Sequence, residues 1–177
     1  MEYASTLVLA GDQEGYRRTC ADLLRRLASV TDPQTCYLLA RTASLAPGGG
    51  DPAQAVQRAE KGVAAYAKRA WYLHTLAVAH YRAGQFGEAV RRAQQSLKDD
   101  PAWGGHVVDW LLLAMAHERL GHADEARQWL DKAAGWLDQA GKGLPKETRF
   151  ALPLPSWSDR LEAQILRLEA ERMIGRK

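Results

Sequence analysis

Two histidines and a glycine triplet are the residues whose types and spacing could support chemistry in this chain. His117 and His122 flank the stretch HERLGH, which resembles the H-E-x-x-H zinc motif. In that motif the histidines are four residues apart on one helical face. Here they are five apart and the second follows Gly121, so they cannot share such a face. We therefore expect no zinc site of this type and no metal cofactor.

The other conspicuous histidine is His80, which lies 37 positions before His117. Both histidines occupy equivalent positions of an internal repeat. Equivalent positions in a repeat usually serve equivalent packing roles, whereas a metal site needs several ligands that converge on one ion. The sequence therefore favours a packing role for this pair.

The triplet Gly48–Gly50 could suggest a phosphate-binding loop. Such a loop follows a strand and is followed by a Lys-Ser/Thr pair or contains G-x-G-x-x-G, and none of these features is present. Pro47 directly before the triplet predicts the end of a helix. No G-x-S-x-G motif is found either. We expect neither an enzyme nor an organic cofactor.

Composition fits one helical domain. The chain has 177 residues, 46% hydrophobic and 25% charged, with a formal net charge of +3. Arginine pairs such as Arg91-Arg92 are typical of a solvated helix face, so we expect no nucleic-acid partner. Cys20 and Cys36 lie in apolar helical stretches, which favours buried thiols.

Two observations bear on location. No basic segment followed by a long apolar run stands near Met1, and the longest apolar stretch, Trp110 to Ala116, is too short to span a bilayer. We therefore expect a cytoplasmic protein without a membrane anchor.

An internal repeat organises the chain between Ala70 and Ala134. Each copy has an apolar helical run, a glycine stop and a second helical run with a small residue on its inner side. Eight positions correspond at a spacing of 37, namely Leu73, Leu76, Ala77, Ala79, His80, Gly84, Glu88 and Ala89 with Trp110, Leu113, Ala114, Ala116, His117, Gly121, Glu125 and Ala126. A two-helix unit repeated at this spacing predicts a helical solenoid.

A weaker copy precedes these two at a spacing of 34, which aligns Leu39, Ala43, Ala55 and Val56 with Leu73, Ala77, Ala89 and Val90. The pattern predicts helical hairpins over residues 2–29, 34–66, 70–98 and 107–139. Residues 141–156 have three prolines and no periodicity, which predicts a long loop. Residues 157–175 predict a last helix that caps the solenoid.

The unit from Ala70 to Pro101 resembles the tetratricopeptide repeat. With Pro101 at the terminal proline of that pattern, Leu76 and Ala77 match its Leu-Gly pair. Gly84 then matches the turn between the helices, Phe86 the following aromatic and Ala89 the small residue. In the next unit Trp110 and Ala126 match the repeat's tryptophan and alanine. The resemblance implies an all-α, right-handed superhelix of about four hairpins plus the capping helix.

The resemblance also implies a function as a protein-interaction scaffold. In this family the first helices of successive repeats line a concave groove that binds a peptide or partner domain. The Lys and Asn residues of the family's carboxylate clamp are absent, because His74 and Val78 stand in their places. The groove candidates are therefore aromatic, apolar and charged: Trp71, His74, Val78, Tyr81, Arg82, Val108, Leu111, Met115, Glu118 and Arg119.

Nearly the whole chain resembles the C-terminal repeat arrays of large bacterial proteins that also carry kinase or WD40 domains. The segments AGDQEGYRRTCADLLRRL, YRAGQFGEAV, DWLLLAMAHERLGHADEARQWLDKA and SDRLEAQILRLEAE carry this resemblance. It implies a scaffold within a larger protein.

Three alternatives stay open. The chain could self-associate into a homo-oligomer through an uncovered terminal face. It could respond to a nucleic acid or a small molecule as a sensor. Finally, residues 141–156 could fill the groove, because this loop carries Leu144, Phe150, Leu152 and Leu154.

Overall fold

The computed structural model describes residues 1–142 and 154–175, and these residues form helices joined by short turns. No strand occurs within these two ranges. The helices are α1 (Glu2–Leu9), α2 (Gln13–Arg26), α3 (Pro33–Ser44), α4 (Pro52–Ala65), α5 (Ala70–Arg82), α6 (Phe86–Asp99), α7 (His106–Arg119), α8 (Ala123–Ala140) and α9 (Trp157–Ile174).

Several helices begin at a side chain that satisfies their first free backbone amides. Asp12, Asp32 and Asp51 each accept a hydrogen bond from the first turn of α2, α3 and α4. Helix α9 begins with a capping box, in which Ser156 and Asp159 accept from each other's backbone amides. The local sequence therefore fixes where these helices start.

The hairpins α5–α6 and α7–α8 turn in the same way. After α5, Gly84 has φ 75°, and after α7, Gly121 has φ 79°. In both turns the amide after the glycine donates to a carbonyl five residues earlier, over 2.9 Å. This is the Schellman ending of a helix, which requires a residue with positive φ.

Successive hairpins stack side by side into a superhelix. Helix α3 packs on α4 and α5, and α6 packs on α7. The repeated alanines, Ala77 with Ala114 and Ala89 with Ala126, are all fully buried. Small side chains at these positions let neighbouring helices approach closely. The predicted all-α fold of stacked helical hairpins is confirmed.

Helix α9 is the C-terminal helix that the sequence analysis assigns to the end of the solenoid. It contacts α8, but it packs more extensively on α7 and also on α1. Its side chains reach α3 and α5 as well. It therefore lies along the first helices of all the hairpins, so it covers their inner face in addition to part of the terminal layer.

Two further features concern the cysteines and the membrane. Cys20 and Cys36 are buried and are not joined in a disulfide. Within the described ranges, no helix combines the length and apolar character needed to cross a bilayer.

Candidate functional site: the groove and its helical occupant

The first helices α3, α5 and α7 line the groove, and each contributes a buried polar side chain to it. These side chains are Arg41 on α3, His74 on α5 and Asp109 on α7. Each is at least nine-tenths buried. Such groups are costly to bury unless they are paired, so their partners define what the groove holds.

The partners of Arg41 come from α9. The Nε atom of Arg41 donates to Oε2 of Glu162 over 2.9 Å, and one terminal nitrogen donates to the same carboxylate over 2.6 Å. That nitrogen also pairs with Asp159. The remaining terminal nitrogen donates to the hydroxyl of Tyr37 over 2.9 Å. The guanidinium of α3 is thus held by two carboxylates of α9 and one hydroxyl.

His74 joins this network to α7. Its Nδ1 lies 2.7 Å from Oδ1 of Asp109, and its Nε2 lies 3.3 Å from Oε1 of Glu162. The other oxygen of Asp109 accepts from Ser96 Oγ over 2.7 Å. The ring of Trp103 lies 6.1 Å from the His74 ring and helps to cover it. Because both ring nitrogens face carboxylates, the imidazole fits this site as a cation that donates twice.

The electrostatics agree with this geometry. Burial would lower the pKa of His74, but Asp109 and Glu162 outweigh it and raise the pKa to about 9. Burial would raise the pKa of Glu162, but Arg41 and His74 lower it to about 2. At neutral pH, two buried cations therefore face the three carboxylates of Asp109, Asp159 and Glu162.

A second ionic contact fastens the other half of α9. Arg82, at the end of α5, binds both carboxylate oxygens of Glu169. Its Nε also donates to the carbonyl of Ser44 over 2.9 Å, and a terminal nitrogen donates to that of Leu45 over 3.0 Å. Arg82 thereby ties α9 to the end of α3. A bidentate pair of this kind fixes orientation as well as position.

Beside the two ionic contacts, α9 contributes apolar side chains to the core. Ala163, Leu166 and Ala170 belong to the same buried cluster as Leu111 and Met115 of α7. Toward the first hairpin, Ile165 belongs to a smaller cluster with residues of α1, α2 and the segment after α3. Helix α9 is therefore amphipathic in this setting, with acids facing α3 and α5 and small apolar residues facing α7.

The ten groove candidates lie on α5 and α7 as the repeat pattern places them, and α9 covers most of them. Of the ten, Arg82, Trp71 and Glu118 are half-buried and Arg119 is exposed. The other six are buried: His74, Val78, Tyr81, Val108, Leu111 and Met115. Their role in partner binding stays a prediction. The long loop predicted over residues 141–156 lies mostly outside the described residues.

Sequence reasoning did not single out Arg41, Asp109, Asp159, Glu162 and Glu169. A usable signal was present, because Asp109 interrupts the apolar run VVDWLLL and Arg41 follows the apolar run YLLA. A charged residue within the apolar face of a buried helix needs a partner. The partners of Arg41, however, are more than a hundred residues away, and His74, a partner of Asp109, is 35 residues away, so spacing alone does not identify them.

The two histidines of the HERLGH segment lie close together. Nδ1 of His117 is 3.2 Å from Nδ1 of His122 across the α7–α8 turn. At the equivalent turn, His80 contacts Gln85 in the same way. The contact therefore belongs to the turn geometry. Within the described part of the chain, no group of three or more His, Cys, Asp or Glu residues could hold a metal ion.

Comparison with known proteins supports the fold. No protein-family model and no curated protein matches the sequence. Among solved structures, the crystal structure of MamA, a tetratricopeptide-containing protein, is similar with a TM-score of 0.50 and 18% identity, over 97% of this chain and 96% of that chain. At this level of identity the similarity establishes the fold alone.

Proposed function

We propose that this protein is a protein-interaction scaffold whose groove binds an amphipathic, acidic helix. In this proposal, α9 is the occupant when no partner is present. One observation carries the proposal: α9 lies against the first helices with Glu162 on Arg41 and His74, and with Glu169 on Arg82. The proposal assigns no catalytic activity to the chain.

The contacts of α9 define what a partner must provide. Glu162 and Glu169 are seven residues apart, which places them on one helical face two turns from each other. Between them, small or apolar side chains equivalent to Ala163 and Leu166 must meet α7. A helix with acids at this spacing and a small apolar stripe beside them would satisfy the groove's cations and its apolar wall.

A partner must compete with a helix that belongs to the same chain. A tethered helix has a high effective concentration, so binding from solution is weak while α9 is docked. Weakening the docking of α9 should therefore strengthen binding of an external helix. The groove candidates buried by α9 would then contact the partner.

The experiment uses a labelled peptide of residues 156–175 as the external helix and the full chain as the receptor. Glu169→Gln in the chain removes the bidentate partner of Arg82. We expect the peptide to bind this variant at least tenfold more tightly than it binds the parent chain, as measured by fluorescence anisotropy. The matched control is Glu88→Gln, which removes an exposed carboxylate that pairs with Arg91 on α6. It should leave binding unchanged.

A second control changes the peptide. A peptide with both acids replaced by glutamine keeps its apolar stripe but cannot pair with the cations of the groove. It should bind the Glu169→Gln chain much more weakly than the natural peptide does. Equal binding of the two peptides, or no binding to any variant, would show that the groove does not exchange α9 for an acidic helix.

Self-association is the second candidate, because the α9 of another copy could make every contact that the chain's own α9 makes. Light scattering of the Glu169→Gln chain distinguishes the two. A mass that doubles with concentration supports exchange between copies, whereas a constant monomer mass supports a heterologous partner. The place of this scaffold in a larger multidomain protein also remains a proposal, and the coding sequence on either side tests it.

A further inference from the structure

A cavity of about 320 Å³ lies beside the C-terminal ends of α3, α5 and α7. Residues 46–52, which comprise most of the turn between α3 and α4 and the first residue of α4, form one wall. Tyr81, Arg82 and Phe86 form the opposite wall, and Arg119 and Glu169 complete the lining. The volume lies at the lower end of the range for small-molecule sites, which suits a ligand of amino-acid size.

Part of this cavity is apolar and aromatic. The rings of Tyr81 and Phe86 lie 5.5 Å apart with a tilt of 57° between their planes. Pro47 and Pro52 lie on the other side. Aromatic and proline side chains offer flat apolar surface at little cost in side-chain entropy, so this part favours the apolar body of a ligand.

Four charged residues line the cavity: the acids Asp51 and Glu169, and two arginines in equivalent repeat positions, Arg82 and Arg119. Arg82 is fully engaged by Glu169 and by two carbonyls of the α3 end. Arg119 lies over the Phe86 ring, with its guanidinium carbon 5.7 Å from the ring centre. Among the described residues, no carboxylate pairs with Arg119. Arg119 also hydrogen-bonds to the Tyr81 side chain. Its remaining N–H donors are open to a carboxylate ligand, as Arg82 already binds one.

We propose that this cavity binds a small molecule that combines one carboxylate with an apolar body of about the size of a phenylalanine side chain. The carboxylate pairs with Arg119, and the apolar body packs between the Tyr81 and Phe86 rings and the prolines. The site shares Arg82 and Glu169 with the groove, whereas Arg41, His74 and Glu162 are not part of its lining.

The test uses N-acetyl-L-phenylalanine as the probe and N-acetyl-L-phenylalaninamide as the matched ligand without the carboxylate. Two-dimensional NMR of the full chain should show saturable shifts of the amides of Gly48–Gly50 and Gly84 with the acid. The amide should bind at least tenfold more weakly. Equal binding of the acid and the amide, or no saturation by about 10 mM, would overturn the proposal. A dissociation constant of about 10 mM corresponds to a binding free energy of about 3 kcal/mol.

Two variants localise the site. Arg119→Gln should lower the affinity for the acid at least tenfold, whereas Arg18→Gln, a change at an exposed arginine of α2, should leave it unchanged.

A last binding experiment distinguishes a free small molecule from the end of a peptide. The peptide acetyl-Gly-Gly-Gly-Phe carries the same terminal carboxylate and ring. Weaker binding than that of N-acetyl-L-phenylalanine supports a small-molecule ligand, because the preceding residues then add no favourable contact. Tighter binding would overturn the small-molecule assignment in favour of a peptide terminus.

Discussion

The two clearest hairpins, α5–α6 and α7–α8, have the same backbone plan but present different chemistry to α9. Their turns match at Gly84 and Gly121. At equivalent groove positions, however, α5 has the buried cation His74 where α7 has the buried apolar Leu111. Helix α9 accordingly meets α5 with carboxylates and α7 with small apolar side chains.

The fold of each repeat and the position of α9 in the groove are therefore specified by different residues. Glycines and alanines shared by the copies determine the hairpin, because turn geometry and close packing leave them little freedom. The groove positions are free to differ between copies, and their differences determine how a helix lies across them. The charge on α5 fixes the register in which α9 lies across the groove. Apolar contact with α7 strengthens the binding of α9 but has less directional preference.

The largest effect on stability should come from removing the charged contact between α9 and the groove. Glu162→Ala leaves Arg41 and His74 buried without a shared carboxylate, so we expect a loss of about 4 kcal/mol in the free energy of unfolding. Urea denaturation followed by circular dichroism measures it. Glu88→Ala on α6 removes an exposed carboxylate and should cost no more than about 0.5 kcal/mol. A loss below about 1 kcal/mol for Glu162→Ala would mean that the network does not hold α9.

A slightly smaller effect on stability should come from weakening the apolar contact between α9 and α7. Leu111 is fully buried on α7, so Leu111→Ala removes buried apolar contact and leaves a cavity, at a cost of about 3 kcal/mol. Unlike the change at Glu162, this loss should not vary between pH 5.5 and pH 9 when measured by the same denaturation. A loss that varies strongly with pH would mean that α7 is also coupled to the charged network.

The sequence was sufficient to predict the hairpins. The spacing of 37 between equivalent residues and the glycines after the first helices specify a helix, a turn and a second helix within each copy. The apolar runs and the glycine stops are local signals, since each depends on residues within one or two turns of one another, and the spacing of 37 shows that the same local signals recur. The all-α superhelix followed from them, and the structure and its similarity to MamA confirm it.

The occupancy of the groove could not be predicted in the same way. Whether α9 stacks only on α8 or lies along α5 and α7 depends on pairs such as His74 with Glu162, which are 88 residues apart in sequence. The periodicity of α9 identifies an apolar face but not the surface that receives it. Charged residues inside apolar runs show that a polar partner exists, and only the three-dimensional packing identifies it.

A third test uses pH, because only the α5 half of the groove contains the buried titrating histidine. The pKa of His74 is raised to about 9, so its contribution is complete below about pH 6.5 and is lost as the pH rises to 9. The pKa of Glu162 is lowered to about 2, so its contribution is lost as the pH falls from about 4.5 to 2. Stability should therefore be highest between about pH 4.5 and 6.5.

We expect a fall on the order of 2 kcal/mol between pH 6.5 and pH 9, as measured by urea denaturation at several pH values. His106 near Asp109 also has a raised pKa and contributes with the same sign. The pKa of His117 is lowered, so its contribution has the opposite sign. A His74→Gln variant should be less stable at pH 6 and should lose most of this slope. A parent chain that is most stable at pH 9 would contradict a protonated His74.

The smallest expected effect tests what the two hairpins share. Gly84 and Gly121 both have positive φ, and a methyl group at either would meet no atom within 4 Å. Alanine there should cost about 1 kcal/mol through backbone strain alone, and the cost should be equal in the two hairpins.

The control is Gly87, which also has open space around it but lies within α6. Gly87→Ala should stabilise the protein by about 0.5 kcal/mol, because alanine has the higher helix propensity and restricts the unfolded chain. Unequal losses at the two turns, measured by urea denaturation, would show that the equivalence of the hairpins does not extend to their energetics.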